Sequence, residues 1–283
     1  MSDKIIAFMD LLGFRNFTRQ DKISAIGMLQ DYVTVLTTKK IEDILHHPDS
    51  HPMITKELAK RKSIYTFNYF VPFSDSIFIV SSGENPSMFL TQLGNFVLEA
   101  FLLGQLGLQN QSKKDFPVLF RVGIEFGDIE LIKAPLIDNE QIDNKIPIPV
   151  GKPVIEAVGM VDEKRIRCPD ILLGPCLIEK ITDIDFKKKY IENHGQNNRL
   201  LWPAFIYEPD PNKFLDIFSP AVYWWKYYSH TNYSDIYFNF LKLIIKSTIS
   251  VFCDTSEYNI KTYINNQINN LGITSKRDAL WED

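Results

Sequence analysis

The chain has 283 residues, 45% of them apolar and 23% charged, with a formal net charge of −4. That balance describes a globular protein with ample core, and the mild acidity gives no reason to expect broad phosphate-backbone binding, which needs clustered Lys and Arg. Cys168, Cys176 and Cys253 make neither a disulfide framework nor a metal-ligand spacing; with no signal-peptide pattern and no apolar run of roughly 20 residues, the expectation is a cytoplasmic protein without membrane or nucleic-acid partners.

In chain order, residues 4–10 predict an apolar strand ending on Asp10. Ile23, Ile26, Leu29, Val33 and Leu36 repeat at three or four and predict an amphipathic helix over 22–44. Residues 45–62 are polar and turn-rich, and their His46, His47, Asp49 and His51 lack the fixed face that a zinc site requires. Two strands follow, "SIYTFNYFVP" and "SDSIFIVSS", broken or bulged near Pro72. In "ENPSMFLTQLGNFVLEAFLLG", Asn85 is a helix cap, Pro86 the first helical residue, and Phe89, Leu93, Phe96, Val97 and Ala100 the core stripe. Residues 117–126 alternate, with Val118, Phe120, Val122, Ile124 and Phe126 on one face and Arg121, Gly123 and Glu125 on the other. Gly127-Asp128 reads as a hairpin turn into "IELIKA". After a Pro- and Asp-rich loop, "GKPVIEAVGMVDEKR" predicts a helix; short strands are expected at "DILLG" and "LWPAFIY", and the tail from residue 213 is expected to be helical. The simplest parse is one α/β domain with a helical tail.

Two stretches carry candidate chemistry. In "IIAFMDLLGFRNF" a core strand exits on Asp10, and a carboxylate there is costly unless paired or holding a metal. The loop that follows can turn backbone N–H groups toward an anion. Gly13 permits close approach, and Phe14 could lie against a ligand. The alternative is an aspartate that merely caps the next helix. In "YFVPFSDSIFIVSS" a second acid, Asp75, stands between two strands. By itself "SDS" is a common turn. Brought together, the two carboxylates suit one or two hard divalent ions, Mg²⁺ or Mn²⁺. The chain contains neither a P-loop motif nor a serine nucleophile elbow.

"FMDLLGF" (8–14), "FSDSIFI" (73–79), "FRVGIEFGDIEL" (120–131) and "GKPVIEAVGMVDE" (151–163) occur in the order seen in class III nucleotidyl cyclases. The chain resembles that catalytic domain over roughly residues 4–180. Among its branches it looks most like the pyrimidine cyclases of bacterial antiphage defence, the Pycsar type. The resemblance implies an α/β fold of cyclase type, a βαββαβ antiparallel-sheet sandwich with helical C-terminal additions. Residues 1–212 would form the catalytic domain with its extensions, and 213–283 a helical extension packed on it. It implies a homodimer with sites at the subunit interface, and two Mn²⁺ or Mg²⁺ ions per site held by Asp10, the Leu11 carbonyl and Asp75. The reaction would close a ribose 3′-hydroxyl onto the α-phosphate and expel pyrophosphate. The cyclic product would act on a cyclic-nucleotide-sensing effector.

Departures from the family pattern sharpen the expectation. Purine cyclases read G-x-x-V-N-x-A-x-R in the helix motif; here Gly151, Val154 and Ala157 match, while Ile155 and Gly159 stand where the Asn and Arg would be. Val71 and Ile148 replace the Lys and Asp that read a purine base. The expected substrate is therefore a pyrimidine nucleoside triphosphate, UTP before CTP. If residues 65–75 are extended, Tyr65, Phe67, Tyr69, Val71, Phe73 and Asp75 share a face. Tyr69 then offers a hydroxyl to a pyrimidine edge, and Arg121 faces either the nucleotide or the partner subunit. Tyr69 as core and Arg121 as solvated surface are the plainer alternatives. "YWWKYY" (223–228) reads as core or dimer interface. Two rival functions stay open: a catalytically silent nucleotide-binding or dimerisation module, and an atypical purine cyclase.

Overall fold

Strand β1 (Asp3–Leu11) lies inside the main sheet and sorts its side chains by alternation. Ile5, Ala7, Met9 and Leu11 enter the large core, whereas Ile6 and Phe8 join a smaller cluster on the opposite face. The computed structural model describes residues 3–12, 14, 19, 66–73, 76–109, 119–135, 145–162, 168–206, 213–231, 233–252, 257–273 and 278–281. The helix expected over 22–44 and the 45–62 segment lie outside the described residues.

Among the described residues, β1 is joined by β2 (Tyr69–Phe73), β3 (Ser76–Ser81), β4 (Phe120–Asp128), β7 (Ile171–Leu173), β8 (Ile191–His194) and β9 (Asn197–Leu200). The sheet order is β2-β3-β1-β4-β7-β9-β8, and every pairing is antiparallel except β4 with β7. A separate two-stranded ribbon pairs β5 (Glu130–Pro135) with β6 (Lys145–Val150). This is the mixed α/β class the sequence predicts, with helical additions after residue 213.

Helix α1 (Pro86–Gln109) covers the large-core face. Asn85 caps it through its Oδ1, which accepts from the Met88 amide at 3.1 Å, and the predicted stripe from Phe89 to Ala100 is buried. Helix α2 (Lys152–Asp162) crosses the other face, burying Pro153, Ala157, Met160 and Val161. It comes so close to β4 that a Cβ on Gly123 would stand 2.1 Å from the Ala157 carbonyl oxygen. Only glycine fits there.

After β7, the short helices α3 (Pro175–Lys180) and α4 (Ile184–Tyr190) lead to the β8–β9 hairpin. Arg199 ties these outer strands together: its Nη1 donates to Asp170 at 3.0 Å and its Nε to Glu192 at 2.7 Å. The tail forms α5 (Phe214–Tyr227), α6 (Ser234–Phe252) and α7 (Glu257–Asn270). Phe240 of α6 meets Phe101 edge-on at 5.0 Å and stacks on Trp202 at 5.2 Å, so the tail shares the large core. No helix among the described residues is long and apolar enough to cross a membrane.

Five sequence expectations are corrected. Gly127-Asp128 does not turn a hairpin: β4 runs through Asp128, Ile129 is buried with its carbonyl held by Lys4 Nζ at 3.0 Å, and β5 pairs with β6 instead. The Pro-rich loop contains β6, because a two-stranded ribbon leaves an outer edge on which Pro147 and Pro149 lack no partner. "LWPAFIY" is no strand but a 3₁₀ turn over Trp202–Ile206, pinned where Trp202 Nε1 donates to the Pro169 carbonyl at 2.8 Å. Finally, β2 pairs with β3 in unbroken register through Pro72, without a bulge. Phe67 precedes that strand and enters the large core, whereas Tyr69 lies across from Val80 of the smaller cluster; the two therefore do not share a face.

Candidate functional site

The register of three strands builds the site. Asp10, at the end of β1, is paired with Ser76 at the start of β3 and with Arg121 near the start of β4. Paired residues on neighbouring antiparallel strands project to the same face, so all three side chains meet. An Arg121 Nη2 nitrogen forms an ion pair with Asp10 Oδ2, and the Ser76 hydroxyl donates to Asp10 Oδ1 at 3.4 Å. The Asp10 and Arg121 side chains are 19% and 25% exposed, half-sheltered rather than sealed. Among the described residues no hydrogen-bond partner meets the buried Arg121 Nε. Ser76 was not singled out in the sequence; only the strand register reveals it.

The remaining sequence-predicted residues fall in different places. Asp75 and Gly13 lie outside the described residues; in sequence Asp75 directly precedes Ser76. Leu11 is buried in the large core, its backbone opposite Phe120. Phe14 is buried in the same core, so its ring packs against protein rather than lying open to a ligand. Tyr69 is 41% exposed and is no core tyrosine. The pairings Tyr69–Val80 and Phe73–Ser76 put it on the Asp10 face. It stands four residues along β2 from Phe73, about 13 Å, and two strand spacings from β1, about 10 Å. Val71 is buried on the same strand, and Ile148 is exposed on β6 beside it. On α2, Ile155 is 74% exposed, and a Cβ at Gly159 would meet nothing within 4 Å. The helix thus presents no polar group at either departure from the purine pattern.

A second carboxylate on this face has a structural role. Glu125 is 1% exposed and accepts from the amides of Phe126 at 2.8 Å and Leu177 at 3.1 Å, capping α3 from a neighbouring strand. Burial pushes its carboxyl above the ordinary value, against the pull of those two amides. Gly174 leaves it room, since a Cβ there would sit 2.0 Å from Glu125 Oε2.

The donors at the Asp10 corner are oxygens, the chemistry a hard divalent ion takes. No group of three His, Cys, Asp or Glu side chains assembles among the described residues. A metal at Asp10 would call on Asp75 and would displace Arg121 from the carboxylate.

No protein-family model matches the chain, and neither does any curated protein. It is similar to solved structures of cyclase domains at low identity. The guanylyl cyclase Cya2 is 14% identical, with 74% of this chain and 95% of that one covered at a TM-score of 0.45. A bacterial light-regulated adenylyl cyclase is 11% identical, with 70% and 88% covered and a TM-score of 0.41. The guanylate cyclase domain of RhGC from Catenaria anguillulae, solved with GTP, is 14% identical, with 70% and 93% covered and a TM-score of 0.40. Likeness at this level carries no inference about substrate.

Proposed function

We propose that the protein is a metal-dependent nucleotidyl cyclase that converts a pyrimidine nucleoside triphosphate, UTP before CTP, to its 3′,5′-cyclic monophosphate and pyrophosphate. The observation that carries this reading is the Asp10–Ser76–Arg121 corner: a strand-end carboxylate, partly open, with a partly exposed guanidinium beside it. Its residues fall within three of the four motifs on which the sequence resemblance rests.

Asp10, the Leu11 carbonyl and Asp75 would hold Mn²⁺ or Mg²⁺. When bound, such ions lower the pKa of the attacking hydroxyl and neutralise charge on the departing pyrophosphate. The chain's own part is to place the triphosphate. Arg121, released from Asp10, supplies a forked cation to phosphate oxygens. Tyr69 stands on the same face with its ring exposed, and its hydroxyl would serve the base of a triphosphate extended from the corner over roughly 16 Å between backbones. Val71 and Ile148 offer no partner to a purine edge, and each buried polar group left unpaired costs about 1–3 kcal/mol. In the bond exchange, the ribose O3′–Pα bond forms, the bond from Pα to the pyrophosphate oxygen breaks, and the hydroxyl proton is released. As the resemblance implies, the product would serve as a signal in antiphage defence through an effector that senses it.

The test is incubation of purified protein with each of the four NTPs and Mn²⁺, with products separated by mass. UTP or CTP should be cyclised at least tenfold faster than ATP or GTP, as one lost hydrogen-bond partner would give. Tyr69→Phe should narrow that gap without changing Mn²⁺ binding. ATP or GTP as best substrate would overturn the pyrimidine assignment, and no cyclic product from any NTP would favour the silent nucleotide-binding module.

A further inference from the structure

The ends of β1 and β4 that carry Asp10 and Arg121 rest on the C-terminal layer. Just past Asp10 and Leu11, the Leu12 amide donates to the Leu119 carbonyl at 2.8 Å, which clamps the exit of β1 to the approach to β4. Leu12 and Leu119 form one wall of a small cavity of about 20 Å³; Tyr228, Tyr233, Ile236 and Tyr237 from the α5–α6 corner form the rest. A space of that size holds one water at most, so it is a seam between packed surfaces and no ligand site.

The opposing wall is built to be stiff. The Tyr228 and Tyr237 rings lie parallel within 4° at 5.5 Å, Tyr228 also stacks on Trp224 at 5.9 Å, and Tyr233 meets it at 5.6 Å. The Tyr228 carbonyl accepts from the Thr231 amide at 2.9 Å and from its hydroxyl at 2.8 Å, fixing the turn into α6. Burial raises the Tyr228 hydroxyl to about 12 and lifts that of Tyr237 well above its ordinary value, so both remain neutral rings.

We infer that this tyrosine corner is a positioning element for the candidate site: it holds Leu12 and Leu119, and through them sets the spacing between Asp10 on β1 and Arg121 on β4. Tyr228, Tyr233 and Tyr237 act through the strand ends and touch no substrate. The site is then assembled only while the C-terminal helices are docked. This inference rests on the reading of Asp10 and Arg121 as the nucleotide corner.

The test compares Tyr237→Ala, the milder Tyr233→Ala at the half-buried rim, and Tyr237→Phe with an outer-face control, Tyr223→Ala. Amide hydrogen exchange at Leu12, Mn²⁺ binding without nucleotide, and NTP turnover are measured for each. Both cavity-lining alanine variants should speed Leu12 exchange and weaken Mn²⁺ binding roughly tenfold, because a loosened β1 end misplaces Asp10 and the Leu11 carbonyl themselves, whereas loss of Arg121 alone leaves those ligands in place; tenfold is the usual effect of losing a group that orients a ligand. Tyr237→Phe, which keeps the ring, and Tyr223→Ala should match wild type. If Tyr237→Ala does not fold, Tyr233→Ala carries the comparison. Unchanged Leu12 exchange and Mn²⁺ affinity in a folded lining variant would overturn the inference. Faster Leu12 exchange in the lining variants of a protein whose wild type cyclises no NTP would uphold the mechanical support while refuting the cyclase reading.

Discussion

Asp10 is asked to serve two cations. Arg121 sits on its carboxylate in the structure, and the proposed reaction needs a divalent ion there. At 4 Å and an effective dielectric near 20, like charges repel by about 4 kcal/mol per unit pair, so the guanidinium and the ion cannot share the carboxylate at close range. Arg121→Gln should therefore raise Mn²⁺ affinity of the nucleotide-free protein, by roughly tenfold for about 1.4 kcal/mol of relief, and yet lower turnover. Calorimetric titration with Mn²⁺ alone, set beside a turnover assay, reads the two opposite signs; affinity and activity falling together would count against the exchange. Asp10→Asn and Asp75→Asn keep shape and remove charge, and each should cut turnover by at least a hundredfold, the scale set by loss of an essential charged group, with folding retained. Residual turnover within a few-fold of wild type in either variant would remove the metal assignment. Arg121 and Asp10 were both legible as residues, since alternation along β4 separated Arg121 from the apolar row. Their contact was not, because it depends on which residues the antiparallel register sets opposite one another.

Among the elements, those with long apolar periodicity were legible: β1, β3, β4, α1 and α2 stand where the pattern put them. What failed was chemistry that tertiary partners override. Two prolines made β6 look like a loop, although a ribbon edge tolerates them. Gly127-Asp128 looked like a hairpin turn, but a buried Ile129 draws the chain onward into the ribbon. The cap of α3 was invisible for the same reason, since Glu125 comes from 52 residues away in sequence. That cap has a pH signature. Because burial holds the Glu125 carboxyl above 4.5 in the folded state, the folded protein binds this proton more tightly than the unfolded chain does. Its contribution to stability is then full in acid and is lost as pH rises from about 4.5 through the raised value. Glu125→Gln keeps an oxygen for the two amides and removes the charge. It should melt higher than wild type at pH 7 and match it near pH 4; equal differences at both pH values would contradict the assignment.

For the molecule as a whole, the apolar surface is uneven. Ile132 and Ile148 face each other across the ribbon and are exposed, with Val150 beside them and Ile155 on α2. Four exposed aliphatic side chains in neighbouring elements are a reason to expect association, and a homodimer is the predicted state. Sedimentation at micromolar concentration should show dimer, and Ile148→Glu with Ile155→Glu should shift it toward monomer with the fold intact. A wild-type monomer with full activity would refute sites shared between copies. The borders of the sheet restrict how copies can meet. Among the described residues one edge, β2, carries Pro72, which has no amide to give, and the other, β8, is four residues long and ends on exposed Asn193 and His194. Borders of this kind accept new strands poorly. Crowded or partly unfolded protein should accordingly precipitate as amorphous material rather than seed fibres, and thioflavin fluorescence of aged, concentrated samples should stay flat until Pro72 is replaced by a residue that can donate.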